Sequence, residues 1–305
     1  IHPLPPPPID SLPFEQLLRF WQHPVRAFFQ QRLRVNFRAE EDDIPDDEPF
    51  TLEGLSRYQL NQQLLNTLIE EQDVSAMFRR FRAAGELPYG AFGELVWETQ
   101  RLEMQALAER VMAERQQAQS MEIDLQCGGV NLTGWLQQVQ PDGLLRWRPS
   151  LLSVSQGMQL WLEHLVYCAS GGTGESRLFV RKEGEWRFPP LAPAEAQAYL
   201  NELVDGYLLG MSQPLLLLPE SGGAWLKACY DAEKDVILMD EETQQKARSK
   251  FLQTYEGNMV VSGEGADIWY QRLWRSLEPA HYEEIIAQTQ RYLLPLYRYH
   301  QSTQI

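Results

Sequence analysis

Apolar residues at Phe14, Leu17, Leu18, Trp21, Val25, Phe28, Phe29 and Leu33 recur every three or four positions, the spacing of one helix face. Pro24 interrupts that face and predicts a break there. Ahead of it, IHPLPPPPIDSLP at 1–13 carries too many prolines for a helix and reads as a polyproline II linker. A second helical pattern runs from Ser56, a candidate N-cap, to Phe81, and a longer one starts near Gly90. The period then changes to alternation. SMEIDLQC, GGVNLTGWLQQV and GLLRWRP predict three successive strands. VSQGMQLWLEHLVYCAS returns to helical spacing, SRLFVRK predicts a strand, 194–210 a helix and PLLLL a short buried strand. The region from Glu241 onward reads as helical with an interruption at GNMVVSGEG. The order predicts a mixed α/β domain with peripheral helices. The expected organisation is a linker over 1–13 and a domain over 14–305, itself a helical part (14–83), an α/β core (84–220) and a C-terminal helical part (221–305).

Between the second and third strands, Gln140-Pro141-Asp142-Gly143 fits a type I turn, with proline second and glycine fourth. That turn sets a register in which Val139 faces Leu144, Gln137 faces Arg146 and Trp135 faces Arg148. In this reading the Gln137 carbonyl accepts from Arg146, and Arg148 lies over the Trp135 ring. Arg146 and Arg148 share a strand face two residues apart, where like charges repel. Such a pair either holds an anion or stands where another group belongs.

Charge narrows the choice. The 305 residues carry 27 basic and 42 acidic side chains, a formal net charge of −15. A field of that sign repels nucleic acid, so any DNA contact has to use a local basic strip and be strongly salt-dependent. Seven of the carboxylates crowd positions 40–48, a self-repelling run expected to stay a loop. Cys127, Cys168 and Cys229 form no CxxC pair, so reduced thiols and a cytoplasmic location are expected rather than a disulfide framework or zinc site. The longest aliphatic run, Leu215–Leu218, is too short to cross a bilayer, and no signal peptide opens the chain. A start at Ile1 suggests part of a longer protein.

Familiar catalytic signatures are missing. GGTGESR at 171–177 lacks the Lys-Ser/Thr pair of a phosphate-binding loop and precedes a strand rather than a helix. His2, His23, His164, His281 and His300 have no ligand spacing, and His164 reads as a satisfied core histidine. Glu122 and Asp124 share a strand face, which reads as exposed surface. No metal or cofactor is expected. The aromatic stretch DIWYQRLWR at 267–275 is a candidate protein-docking surface, since aromatics and arginine anchor interfaces, although core packing accounts for its tryptophans equally well.

A helix, a hairpin and a helix opening on glutamine resemble the PD-(D/E)XK (restriction-endonuclease/RecB-nuclease-like) superfamily in its RecB-like branch, whose motifs read G-x-I-D, D-Y-K and Q-x-x-x-Y. Gly134-Trp135-Leu136-Gln137 aligns with the first motif, so Gln137 replaces a metal-binding aspartate. Arg146-Trp147-Arg148 aligns with the second, with Arg146 in the place of an acidic ligand and Arg148 in that of the lysine. On the helix motif Gln159 is kept and Glu163 replaces tyrosine. Gly90 to Glu94 matches an upstream G-x-x-x-H with Glu94 for histidine, and His23-Pro24 stands where the branch has Cys-Pro. End to end, the chain resembles the C-terminal domains of the RecC-type gamma subunits of exodeoxyribonuclease V (RecBCD), enterobacterial type. The resemblance implies a PD-(D/E)XK-like α/β core with a degenerate active site and no catalysis. It also implies docking to RecD and RecB, and a part in splitting duplex DNA and guiding the separated strands during recombinational repair of double-strand breaks.

Physical chemistry agrees with the implied inertness. A hard divalent cation needs oxygen ligands, and two like unit charges 4 Å apart cost about 4 kcal/mol at an effective dielectric of 20. If the cleft touches DNA, Arg146, Arg148 and Trp135 are the candidate contacts; the alternative for both arginines is local neutralisation. Two other readings are kept. One is a docking domain that contacts no DNA. The other is an active nuclease whose ligands have moved to Glu94, Asp124 or Glu163.

Overall fold

The computed structural model describes residues 2–36 and 52–301; the acidic run at 40–48 lies outside them. The chain opens with β1 (Ser11–Pro13), α1 (Phe14–Gln22) and α2 (Pro24–Ala27), the last continuing as one π-helical turn, Phe28–Arg32. His23 makes the break between the helices: its Nδ1 accepts the Arg26 N–H at 3.1 Å, capping α2 behind Pro24. Then come α3 (Leu52–Ile69), α4 (Ser75–Ala83) and α5 (Gly90–Glu114). Strands β2 (Gln119–Cys127), β3 (Val130–Gln140) and β4 (Gly143–Trp147) lead into α6 (Val154–Ala169), β5 (Glu175–Phe179), β6 (Glu185–Phe188), α7 (Pro193–Ser212) and α8 (Pro219–Cys229). The remainder is a small pair, β7 (Tyr230–Asp231) and β8 (Val236–Ile237), followed by α9 (Glu241–Glu256), α10 (Ile268–Leu273), α11 (Pro279–Gln288) and α12 (Leu294–Tyr299). No described helix is long and apolar enough to cross a membrane.

Six strands form one mixed sheet with β3 at its centre. β2 runs antiparallel along one edge of β3. The other edge is shared: β1 pairs in parallel with Asn131–Thr133, and β4 pairs antiparallel with Val139 and Gln140. β5 adds to β4 in parallel and β6 closes the order antiparallel. Alternation along β4 and β5 sends Leu144 and Leu178 into a large core with α1, α6, α7 and α8, and Leu145 and Phe179 into a smaller core beneath α3, α4 and α5. The sheet is thereby covered on both faces.

Apart from β6, the strands and helices from Gln119 to Ser212 follow the periodicity of the sequence; four features of the fold depart from it. Ser11–Pro13, expected in the linker, pair with β3 because Leu12 is buried and Pro13, as the last residue of an edge strand, needs no donor. The helix expected over 56–81 begins at Leu52, which puts Ser56 inside it, and breaks at Glu71 (φ 57°) before Asp73 accepts the Ser75 N–H. The leucines of PLLLL are buried but form no strand; the Leu217 N–H instead turns back to the Leu215 carbonyl at 2.8 Å. EWRF forms the unexpected β6.

Carboxylates fasten the C-terminal helices to the core. Glu264 accepts the N–H groups of Glu220 and Ser221 at the start of α8, at 3.0 and 2.9 Å, and burial pushes its carboxyl above the usual range. Glu220 in turn accepts the Val154 N–H at 2.7 Å, the first of α6. Asp267 bonds His23 Nε2 at 3.0 Å and caps α10. The aromatic stretch at 267–275 is core: Trp269 and Tyr270 are buried, as is Trp274. It is not the exposed docking surface that its composition suggested.

Candidate functional site

The cleft is made by a fault in the ladder. Between Gln119↔Val139 and Met121↔Leu136, two residues of β3, Gln137 and Gln138, oppose the single residue Ser120 of β2. This is a β-bulge, and Gln138 takes the left-handed conformation (φ 55°) within it. On the other side the hairpin ladder stops after two pairs, Val139↔Leu144 and Gln140↔Gly143. The turn itself is as expected, with a negative φ at Asp142 and Gly143 at φ 128°. Beyond the bulge β3 and β4 part, so Gln137↔Arg146 and Trp135↔Arg148 do not form as ladder pairs.

Arg146 fills the fork. Its Nη2 donates to the Gln137 carbonyl at 2.7 Å and its Nη1 to the Gln138 carbonyl at 3.1 Å, satisfying two acceptors left without strand partners. Its Nη2 also lies 2.9 Å from Oε2 of Glu163 on α6, with Nε 3.3 Å from the same oxygen. Both side chains are about four-fifths buried, at 21% and 18% exposed. α6 is fixed at its start by a capping box of Ser153 and Gln156. One turn before Glu163, Gln159 donates to the Leu18 carbonyl of α1 at 3.1 Å.

The resulting cleft, about 470 Å³, lies between α3, the fork and α6. Gln137, Arg146, Arg148, Gln159 and Glu163 all line it. Gln137 directs its amide oxygen to the Ser120 hydroxyl at 2.6 Å. Two candidates fall elsewhere. Trp135 stands outside the cleft, 58% exposed on the solvent side. Glu94, near the start of α5, lies 3.7 Å from Arg82 and is exposed. Arg148 therefore does not lie over Trp135. Its N–H bonds the Phe179 carbonyl at 3.0 Å, and its side chain projects exposed into the mouth of the cleft.

These residues do not fit a divalent metal. Among the described residues Glu163 is the single carboxylate lining the cleft, and it is spent on Arg146; Asp124 and Glu122 are exposed on β2. Among the described residues no three His, Cys, Asp or Glu side chains cluster in metal-binding geometry. The Arg146 guanidinium in the fork repels a cation that needs oxygen donors.

Sequence reasoning missed Arg115 and Trp147. Arg115, just past α5, holds its guanidinium 5.8 Å from the Trp147 ring centroid, and both line the cleft. Buried Gln140 places that segment: its Oε1 accepts the Gln116 N–H at 3.0 Å and its Nε2 donates to the Glu114 carbonyl at 3.2 Å. A second missed feature is an ion cluster under α5. Arg177, 5% exposed, lies 2.7 Å from Glu114 and 3.0 Å from Asp142, and Arg187 binds Glu175 and Glu185. His164 matches expectation as a core residue, bonded to the Ser176 hydroxyl at 2.5 Å and the Pro189 carbonyl at 2.8 Å.

The chain is 70% identical over 302 residues to RecBCD enzyme subunit RecC of Escherichia coli K12, which covers 99% of this chain and 27% of the relative. The RecBCD enzyme subunit RecC of Buchnera aphidicola from Acyrthosiphon pisum is 31% identical across 94% of this chain and 27% of its own length. That of Mycolicibacterium smegmatis is 26% identical across 95% and 27%. The chain thus spans about a quarter of the length of these relatives. The sequence pattern of the RecC C-terminal domain matches residues 9–230, and on that coverage the chain belongs to the RecC C-terminal domain family.

Proposed function

We propose that this chain is a non-catalytic, nuclease-like domain of a RecC-type subunit in a RecBCD assembly. It docks partner subunits, RecD in particular and also RecB, and helps split duplex DNA and guide the separated strands for recombinational repair of double-strand breaks. The observation that carries this reading is the Arg146–Glu163 pair. A guanidinium bonded to two bulge carbonyls and a carboxylate occupies the fork where the motifs of the PD-(D/E)XK superfamily would place metal ligands. The helix, bulged hairpin and Gln-bearing helix around that fork support assignment to that superfamily.

The test is a denaturing gel of end-labelled forked DNA incubated with the chain and Mg²⁺ or Mn²⁺. No cutting is expected. Cutting that persists through repurification and disappears on Glu163→Ala or Asp124→Ala would sink the proposal, because the ligands would then have moved rather than vanished.

A purely structural docking role without DNA contact has its own support. α5 exposes Phe92, Leu95 and Leu102, each about 60% accessible, on the face opposite its buried one, and apolar residues in such a row suit a protein partner. Binding of purified RecD in the absence of DNA supports docking; binding of forked DNA in the absence of RecD supports strand guidance.

A further inference from the structure

We infer that the cleft is a seat for a phosphate oxyanion, formed by Arg115 and Arg148, which both line it, and that Arg146 takes no part in it. The inference rests on the strand-guiding reading above and names the ligand chemistry and the residues.

Among the described residues three guanidinium groups line the cleft, and they are not equivalent. Arg146 is neutralised by Glu163 and saturated by the Gln137 and Gln138 carbonyls. Arg115 and Arg148 are exposed, and neither has a carboxylate within ion-pairing distance among the described residues. In a chain of net charge −15, two cations that line one cleft without a carboxylate partner among the described residues are a local reversal of sign. Glu163, the one lining carboxylate among the described residues, is bonded to Arg146.

Both cations are held in place from the backbone. Gln140 grips the residues on either side of Arg115, and the Trp147 ring orients its guanidinium. The bond from the Arg148 N–H to Phe179 and the buried Pro149 fix the strand end that carries the second. Planar guanidinium groups present paired N–H donors that match phosphate oxygens. The rest of the lining is rich in amides, including Gln62, Asn66 and Gln116, which donate to oxygens without adding charge. A phosphodiester in a single strand and a free phosphate share this chemistry.

The experiment titrates the 305-residue chain into fluorescein-labelled oligo(dT), followed by anisotropy across a salt series, with calorimetric titration of pyrophosphate in parallel. Each arginine that contacts a single-strand phosphate contributes about 0.7 to the slope of log K against log[salt]. Arg115→Ala and Arg148→Ala are each expected to lower the slope by about that amount and to weaken affinity roughly tenfold. Lys substitutions should restore the slope but not the full affinity. Lys250→Ala, on the exposed face of α9, controls for loss of one charge. Dependence of oligo(dT) binding on the two arginines identifies a nucleic-acid backbone as the source. Dependence of pyrophosphate binding alone identifies a free anion. If the double variant and Lys250→Ala are indistinguishable with both probes, the seat does not exist. The nuclease gel is unaffected by that result, so failure here and failure of the non-catalytic reading are separable.

Discussion

Arg146 and Glu163 lie seventeen residues apart, one on β4 and one on α6, and meet with an Nη2–Oε2 distance of 2.9 Å in the fork where β3 leaves β4. The pair joins the sheet to the helix that crosses it. Because both groups are largely buried, removing one leaves the other under-solvated.

Arg146→Ala should therefore destabilise the fold by about 2–3 kcal/mol, since it also strands the Gln137 and Gln138 carbonyls. Glu163→Ala, which leaves Arg146 its two carbonyls, should cost about 1–2 kcal/mol. The double variant should cost about 1 kcal/mol less than the sum. Urea unfolding of the four proteins measures the cycle; strict additivity would mean that the pair is not coupled.

His164 gives the fold an acid limit. Burial lowers its pKa from 6.5 to about 4, against the opposing bond to the Pro189 carbonyl. The unfolded chain takes up its proton first, so stability from this residue is complete above pH 6.5. It falls as pH drops toward 4 and levels off below. The loss is on the order of 3 kcal/mol. Urea midpoints between pH 7 and 4.5 should be steeper in pH for the parent chain than for His164→Gln, and parallel curves would refute the assignment.

Gly143 cannot carry a side chain. At φ 128° a Cβ would lie 1.9 Å from the Glu175 carbonyl oxygen, in the backbone of the neighbouring strand. Gly143→Ala should part β4 from β5 and cost more than about 3 kcal/mol. A thermal midpoint close to that of the parent chain would show that the hairpin relaxes around it.

The parts of this architecture that the sequence disclosed are the local ones. The switch from helical to alternating period announced β2, β3 and β4, and Pro141-Asp142-Gly143 set Val139 opposite Leu144 because turn chemistry acts over four residues. The bulge left no such trace. Gln137 and Gln138 are two polar residues in a polar stretch, and nothing in their order says that Ser120 will face both. Trp135 and Arg148 were assigned as partners by counting from the turn, and the bulge invalidates that count. Arg115 was hidden for a different reason: it follows the last turn of α5 and becomes a cleft residue through Gln140, twenty-five positions away. β1 was obscured by the prolines around it, although Leu12 was the apolar clue. The Gln137, Arg146, Gln159 and Glu163 positions come together in the cleft, while Glu94, placed by the upstream G-x-x-x-H match, does not.

The carboxylates at the helix starts decide what counts as one mechanical body. Glu264 holds the beginning of α8, Glu220 within α8 holds the beginning of α6, and Asp267 reaches His23 at the start of α2. Strain applied to the last third of the molecule is delivered through these bonds to α6, the helix that carries Gln159 and Glu163. A partner gripping α9, α10 or α11 would pull on the cleft from behind. A chain ending with α8 would lose that linkage together with the Glu264 cap of α8. The C-terminal helices thus act as a lever whose short arm is the floor of the cleft.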